Sequence, residues 1–593
     1  MSARGRAKAD GSDGRADPGP ALAPSAVAAD AGARSRRARW GSSLAHAVPW
    51  LLYSAVSGLL VFLSFPPADL GPVAFVAFVP LLVAADRASS YGVALACGLV
   101  AAAAAYLPSF AWIASVAVPG WLAVALYVGL YLIVAVAIIR LFQRRLRPAW
   151  PLLAALLWVG LELFRARLGP GFPWLFMGYT QYRSGGLVQL AALGGVYAVS
   201  FVVLLVNASL AALVLSVGDL VRGAPARLQR VGAAGLAVAV AVALLAGSAR
   251  TGEGAKRRVA MTDGPVVGVI QQNLPRLVRE IYGGQKTAQQ YYRERDEELQ
   301  LASLLSARLK GTGVRLVVWP ESTVPVPLNL RPEQFRYKDD LLLYARAMRY
   351  LTGLAKEFDS YFLVGAPFYL APEVSGSTLY GIGATEEFGN SAVMLSPEGR
   401  MIGHYEKIRL VPFGEYIPLR RSLPFLQLLT PIPREITPGK EKVVFSLPGR
   451  QGGQTARFSA LVCYEDVFPD LCVDFRRGGA QFFVNVTEEG WYYIPGELGQ
   501  HLAMAVFRAV ETRTTVVRAA NTGVSCFINP RGEVYAQLRP LTRGELSARV
   551  QLCSETTPYA KHGDAFAIVC LMLAISLPAL LVALGRRTEP AWQ

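Results

Sequence analysis

Hydrophobic and polar positions divide this chain into regions of different periodicity. Long apolar blocks occupy roughly 47–65, 69–85, 92–112, 118–139, 149–164, 188–217 and 231–248, and another lies at 565–584. A helix needs about 20 apolar residues to cross a bilayer core. The blocks therefore predict seven membrane helices within 41–250 and an eighth over 563–585. Residues 264–556 change pattern. Short runs rich in Val, Ile and Phe recur there, among them VVGVIQ, VRLVVWP, YFLVGAP, NSAVMLSP, FSALVC, QFFVNV, TVVRAA and VSCFINP. Helical patterns at 286–310, 340–358 and 498–512 separate some of them. Continuous apolar runs are strands buried on both faces. The region thus reads as one α/β domain, helices packed over sheets, inserted between the seventh and eighth membrane helices. Residues 1–40 are rich in Ala, Gly, Ser, Arg and Asp and read as a disordered basic tail. Residues 586–593 form a second, short tail.

Composition agrees. Only 17% of the 593 residues are charged and 53% are hydrophobic, against about 25% charged in soluble proteins. The net charge of +17 comes largely from arginines flanking apolar blocks, so it reads as membrane topology rather than nucleic-acid binding. The loops after the second, fourth and sixth blocks carry Arg87; Arg140, Arg144, Arg145 and Arg147; and Arg222, Arg227 and Arg230. The loops after the first and third carry none. Both termini are therefore expected in the cytoplasm and residues 264–556 outside. Arg165, Arg167 and Arg183 run against this pattern. They lie in the loop RARLGPGFPWLFMGYTQYR, which suits a re-entrant segment or a plain aromatic belt, with Trp174, Phe176 and Tyr179 at headgroup depth.

Chemistry concentrates in three stretches. In RFSALVCYEDVFPD, residues 457–470, an apolar strand delivers Cys463 into an acidic, aromatic turn. A nucleophile and its backbone donors are commonly presented this way. Upstream, VVWPEST carries Glu321, and HYEKIRLVPFGEYIP carries Lys407 and Glu415. A free thiol titrates at about 8.5 and is mostly protonated at neutral pH. A neighbouring lysine favours the thiolate and a carboxylate can shuttle its proton, so Glu321, Lys407 and Cys463 are the expected catalytic set. In isolation Glu321 is an ordinary strand-end carboxylate and Lys407 a solvated lysine; the shared contexts argue otherwise. Glu465 and Asp466 read equally as helix caps and as catalytic groups. Cys97, Cys472 and Cys570 read as packing residues, and a Cys472–Cys553 disulfide stays open. No CxxC pair or Cys/His cluster suggests a structural zinc. Residues 415–433, with many Leu, Phe and Pro, read as a mobile, membrane-dipping arm near a lipid entrance or as core-packed chain.

The order Glu, Lys, Cys in the contexts WPE, K-x-x-LVPFGEY and CYE resembles the nitrilase superfamily. With the membrane blocks, the chain from about residue 47 resembles the apolipoprotein N-acyltransferase family of the bacterial inner membrane. That resemblance implies a nitrilase-like αββα sandwich and a Glu321–Lys407–Cys463 triad. It also implies that Glu415 supports the lysine and that Tyr464 and Glu465 line the active site. A membrane phospholipid is the implied acyl donor and a diacylated lipoprotein the acceptor, with no cofactor, no metal, the catalytic domain periplasmic and a monomeric chain. Thr487, Glu488 and Glu489 depart from the Ser-Asn-Asp-like stretch usual before the Trp, here Trp491, and their extra negative charge bears on acceptor contacts. The alternatives are a membrane-tethered amidase with the same triad, or a transporter or sensor with a ligand-binding outer domain.

Overall fold

A computed structural model describes residues 46–221, 227–274, 287–335, 337–370, 387–429, 432, 435–491 and 495–587. The 1–40 tail, residues 588–593 of the second tail and part of the 415–433 arm lie outside these residues.

The strands are β1 (Thr262–Gln271), β2 (Leu316–Trp319), β3 (Tyr361–Tyr369), β4 (Phe388–Leu395), β5 (Met401–Glu406), β6 (Phe445–Leu447), β7 (Ala456–Val462), β8 (Phe482–Thr487), β9 (Thr515–Ala520), β10 (Cys526–Ile528), β11 (Val534–Gln537) and β12 (Gly544–Leu552). They form two six-stranded sheets, ordered β12-β1-β2-β3-β4-β5 and β11-β10-β9-β8-β7-β6. The centre of each is parallel, β1-β2-β3 and β7-β8-β9. Antiparallel strands complete the edges.

The period of two in β2 shows why these runs are apolar throughout. Val317 and Trp319 pack with Leu299, Leu305, Leu343 and Leu351 of the helices Ala288–Ala307 and Lys338–Phe358. Leu316 and Val318 instead join a core shared with Phe458, Ala460 and Val484 of the second sheet. β2 thus buries one face against helices and the other against the opposite sheet, as in the expected nitrilase-like sandwich.

Among the described residues, six helices are long and apolar enough to cross a membrane: His46–Ser64, Tyr91–Ser109, Val118–Arg145, Leu187–Val221, Ala234–Arg258 and Ala565–Ala583. Two of the eight predicted blocks differ. Block 69–85 breaks into a 3₁₀ turn, Gly71–Phe75, and the helix Val79–Arg87, only about 13 Å long at 1.5 Å per residue. Block 149–164 forms one helix, Trp150–Arg167, but carries buried Glu162 and Arg165. Those charges hold the loop that follows. Glu162 accepts the Met177 N–H at 2.9 Å, and Arg165 donates to the Trp174 carbonyl at 2.9 Å. Trp174, Phe176 and Tyr179 are therefore buried within the protein.

The helix Pro495–Thr512 of the sandwich packs on this loop. Gln500 accepts the Trp174 indole N–H at 2.8 Å and donates to the carbonyls of Pro66 and Ser109. Glu511 accepts the Val196 N–H at 2.9 Å, a donor released where the membrane helix kinks at Gly194 and Gly195. Gly195 has φ +68, and a Cβ there would lie 2.5 Å from the Tyr559 ring, so both conformation and space require glycine.

Candidate active site

Glu321, Lys407 and Cys463 each lie just beyond a strand, after β2, β5 and β7 respectively. Catalytic groups of layered α/β folds gather at such ends, where backbone leaves the sheet. Gly365 in β3 lets the Glu321 turn approach. A Cβ at Gly365 would sit 2.5 Å from the Glu321 Cα and the Pro320 carbonyl oxygen. Ser322 and Cys463 both adopt positive φ, +55 and +53. The chain therefore turns sharply at Cys463, from extended Val462 into the 3₁₀ turn Cys463–Val467.

Lys407 is 1% exposed. Its Nζ donates to Glu415 Oε1 at 2.7 Å and lies 3.4 Å from Glu321 Oε1. Asn390 bridges the two carboxylates, donating to Glu321 at 2.6 Å and to Glu415 at 3.4 Å. The remaining oxygens accept backbone donors, Glu321 Oε2 from Glu488 N and Glu415 Oε2 from Val411 N, each at 2.8 Å. Burial alone would lower the lysine's pKa, but Glu415 and Glu321 lift it well above its ordinary value, leaving a permanent ammonium.

The thiol behaves differently from the sequence expectation. Cys463 is partly exposed. Desolvation, and next the negative charge of Glu321, push its pKa well above the ordinary thiol range, and the opposing attraction of Lys407 is the smaller effect. A raised pKa favours the neutral thiol, and a base placed to remove its proton as it reacts would answer that.

Glu465 is fully buried. Oε1 accepts the Tyr405 hydroxyl at 2.8 Å and the N–H groups of Ile408 and Arg409 at 2.7 and 3.0 Å. Oε2 accepts the Val462 N–H at 2.8 Å. This side chain caps the turn that bears Cys463 and ties it to the segment bearing Lys407. Burial pushes its pKa up to about 7, and the backbone donors restrain it there. The helix Pro469–Arg477 has no side-chain cap, so neither Glu465 nor Asp466 caps it.

A model for the apolipoprotein N-acyltransferase N-terminal domain matches residues 57–209, and one for carbon-nitrogen hydrolases matches 282–557. An apolipoprotein N-acyltransferase of Geobacter metallireducens is 33% identical over 546 residues, 89% of this chain and 94% of its own. The chain belongs to the apolipoprotein N-acyltransferase family. A relative of the same name from Chlorobaculum tepidum is 29% identical over 543 residues, 90% of this chain and 96% of its own. A crystallised amidase from Nesterenkonia sp. is 20% identical, covers 52% of this chain and 97% of its own, and superposes with a TM-score of 0.34. Family and apolar helices together make this a multi-pass membrane acyltransferase of the nitrilase superfamily.

The departure at 487–489 turns inward. The Glu488 carboxylate accepts Asn521 Nδ2 at 2.9 and 3.0 Å and the Gly490 N–H at 2.9 Å. Glu489 pairs with Arg518 at 2.5 Å and with His501 Nδ1 at 2.6 Å. Asp466 meets both Arg518 and, at 2.5 Å, His501 Nε2. Glu489, Glu497 and His501 bring ligand-type atoms within 4.8 Å of one another, but the Arg518 guanidinium already supplies the cation there. Burial would lower the His501 pKa, yet Asp466 raises it well above normal. The cluster braces the nucleophile's turn from behind.

Tyr464 stacks on Trp174, ring centroids 6.3 Å apart at 18°. Trp174 in turn joins Phe172 and Trp112, so an aromatic wall from the membrane region stands beside the nucleophile. All six cysteines are free, and Cys472 is buried packing. Sequence reasoning missed Asn390, Asn521 and the Arg518 cluster. A signal existed for one of them, since Arg518 interrupts the apolar run TVVRAA and a charge in a doubly buried strand needs a buried partner.

Proposed function

We propose that this chain moves a fatty acyl group from a membrane glycerophospholipid, through a thioester on Cys463, to the α-amine of the S-diacylglyceryl cysteine that begins a lipoprotein. It does so as a monomer, with the sandwich on the periplasmic face of the bacterial inner membrane. The observation that carries this reading is the convergence of one thiol, one buried ammonium and one carboxylate beside an aromatic wall contributed by the membrane region.

Glu321 takes the Cys463 proton as sulfur attacks the ester carbonyl. Lys407 Nζ and the backbone N–H groups opening the Cys463 turn stabilise the oxyanion. The ester C–O bond breaks, the proton passes from Glu321 to the leaving alkoxide, and a lysophospholipid departs. The lipoprotein α-amine then attacks the thioester, loses a proton to Glu321 and forms an amide, and the proton returns to sulfur. An α-amine titrates at about 7.7–8.0, so part of it is neutral at physiological pH.

The amidase reading passes the acyl group to water. Acyl transfer is favoured by the apolar surface beside the site, where Leu419, Leu423 and Phe425 are exposed within the described part of the arm. Such a surface suits lipid and disfavours water. Intact-mass measurement of protein purified from membranes tests the proposal. An acyl adduct released by hydroxylamine, absent in Cys463→Ala, and transferred to a diacylated lipopeptide is expected. Release of free fatty acid or ammonia with no transfer to the lipopeptide would select the hydrolase.

A further inference from the structure

A second cavity lies away from the active site. It encloses about 300 Å³ and is lined by Leu190 and Leu193 near the start of the membrane helix Leu187–Val221, by Thr251 and Ala255 near the end of Ala234–Arg258, and by Arg513 and Glu555 of the sandwich. Arg513 precedes β9, whereas the active site gathers beyond the C-terminal ends of β7 and the parallel β8. A six-residue strand spans about 20 Å, so the two sites occupy opposite ends of one sheet and share no residue.

Arg513 is the unusual group here. It is 5% exposed and adopts φ +52. Its Nη1 donates to Gln189 Oε1 at 2.8 Å and to the Pro530 carbonyl at 2.9 Å. The guanidinium hydrogen bonds described all run from Nη1, and among the described residues no carboxylate lies within 4 Å of the group. A buried cation without a close counter-charge is costly; burial pulls its pKa down, and the attraction of Cys553 and Glu555 is the smaller, opposing effect. The carboxylate of Glu555 is exposed at the rim, where water screens it. Arg257 and Arg258 follow in the last helical turn, while Lys256 there is paired with Glu533 at 3.1 Å. On the side of the membrane helices the wall is apolar, and Leu193 is 61% exposed.

We propose that this cavity is a structural lipid site, holding the phosphate of a bilayer glycerophospholipid on the unused edge of the Arg513 guanidinium while an acyl chain runs over Leu193. A planar donor fork matches phosphate geometry, and a headgroup is the anion always present at the end of a membrane helix. The site is independent of the acyl-transfer reading.

Native mass spectrometry of the detergent-purified full chain, titrated with phosphatidylglycerol, tests it. The Cys463→Ala background keeps the probe from being consumed. Arg513→Gln is expected to lower occupancy of one bound lipid about tenfold, the weight of a charge-assisted hydrogen bond. Ala255→Phe fills the cavity while leaving the Arg513 hydrogen bonds in place, and is expected to remove the same lipid in protein of unchanged melting temperature. Both substitutions, made in the Cys463 enzyme, should leave acyl transfer intact. Undiminished lipid occupancy in Ala255→Phe would overturn the proposal. So would Arg513-dependent binding of inorganic phosphate that phosphatidylglycerol does not displace, because the site would then serve a soluble anion.

Discussion

The Glu465 carboxylate accepts the Tyr405 hydroxyl at 2.8 Å, joining the nucleophile's turn to the strand that ends at Lys407. One oxygen of this buried group collects three donors and the other a fourth. Relative placement of thiol and ammonium thus depends on a residue that need touch neither. Glu465→Gln sets an amide N–H₂ against backbone donors. We expect kcat for lipopeptide acylation to fall about 10²-fold or more with little change in KM, and Tyr405→Phe to cost about tenfold or less, one hydrogen bond. Equal losses in the two variants would contradict the clamp.

Glu321 raises the thiol's pKa while being the proposed acceptor of its proton. Its removal should therefore move two readouts in opposite directions. Glu321→Gln is expected to speed alkylation of Cys463 by iodoacetamide at neutral pH and to abolish acyl-enzyme formation. Slower alkylation would show that some other group governs the thiol.

Lys407 neutralises two largely buried carboxylates. Lys407→Met leaves them facing each other, and about 3–5 kcal/mol of stability should be lost, as when one partner of a buried pair is removed. Adding Glu415→Gln should restore much of that stability without restoring acyl transfer. Thermal unfolding alongside acyl-enzyme formation separates the structural from the chemical role.

Buried carboxyls make stability pH-dependent in a defined direction. Burial pushes Glu465, Glu497 and Glu511 up to about 7, against an ordinary value of about 4.3. Between these values the unfolded chain has released protons that the folded chain retains, so stability falls as pH rises. His501, raised by Asp466, acts in the same sense, its stabilisation being lost as pH rises through its folded-state pKa. The melting temperature should be higher near pH 5.5 than near pH 8, and Glu497→Gln should flatten the slope. A rising profile would mean that these carboxyls are ionised in the folded protein.

Local pattern made much of this protein legible. The eight quoted apolar runs of 264–556 all fall on strands, because a strand buried on both faces must be apolar at every position. The three predicted helices fall on Ala288–Ala307, Lys338–Phe358 and Pro495–Thr512, because a helix packed on a sheet shows an apolar stripe at helical spacing. Glu321, Lys407 and Cys463 were nameable because each follows a recognisable strand, the role of Glu415 came only with the family resemblance, and the structure draws all four together. What the residue order left open depends on distances between remote segments. Where block 69–85 bends was not legible either: Asn207, remote in sequence, accepts the Phe78 N–H at 2.8 Å at the break before the helix Val79–Arg87. Whether Glu489 presents charge to substrate depended on Arg518 and His501, and whether Cys463 rests as a thiol depended on packing and on Glu321. Pattern is set by neighbours in sequence, whereas charge compensation and desolvation are set by neighbours in space, and only the tertiary structure supplies those.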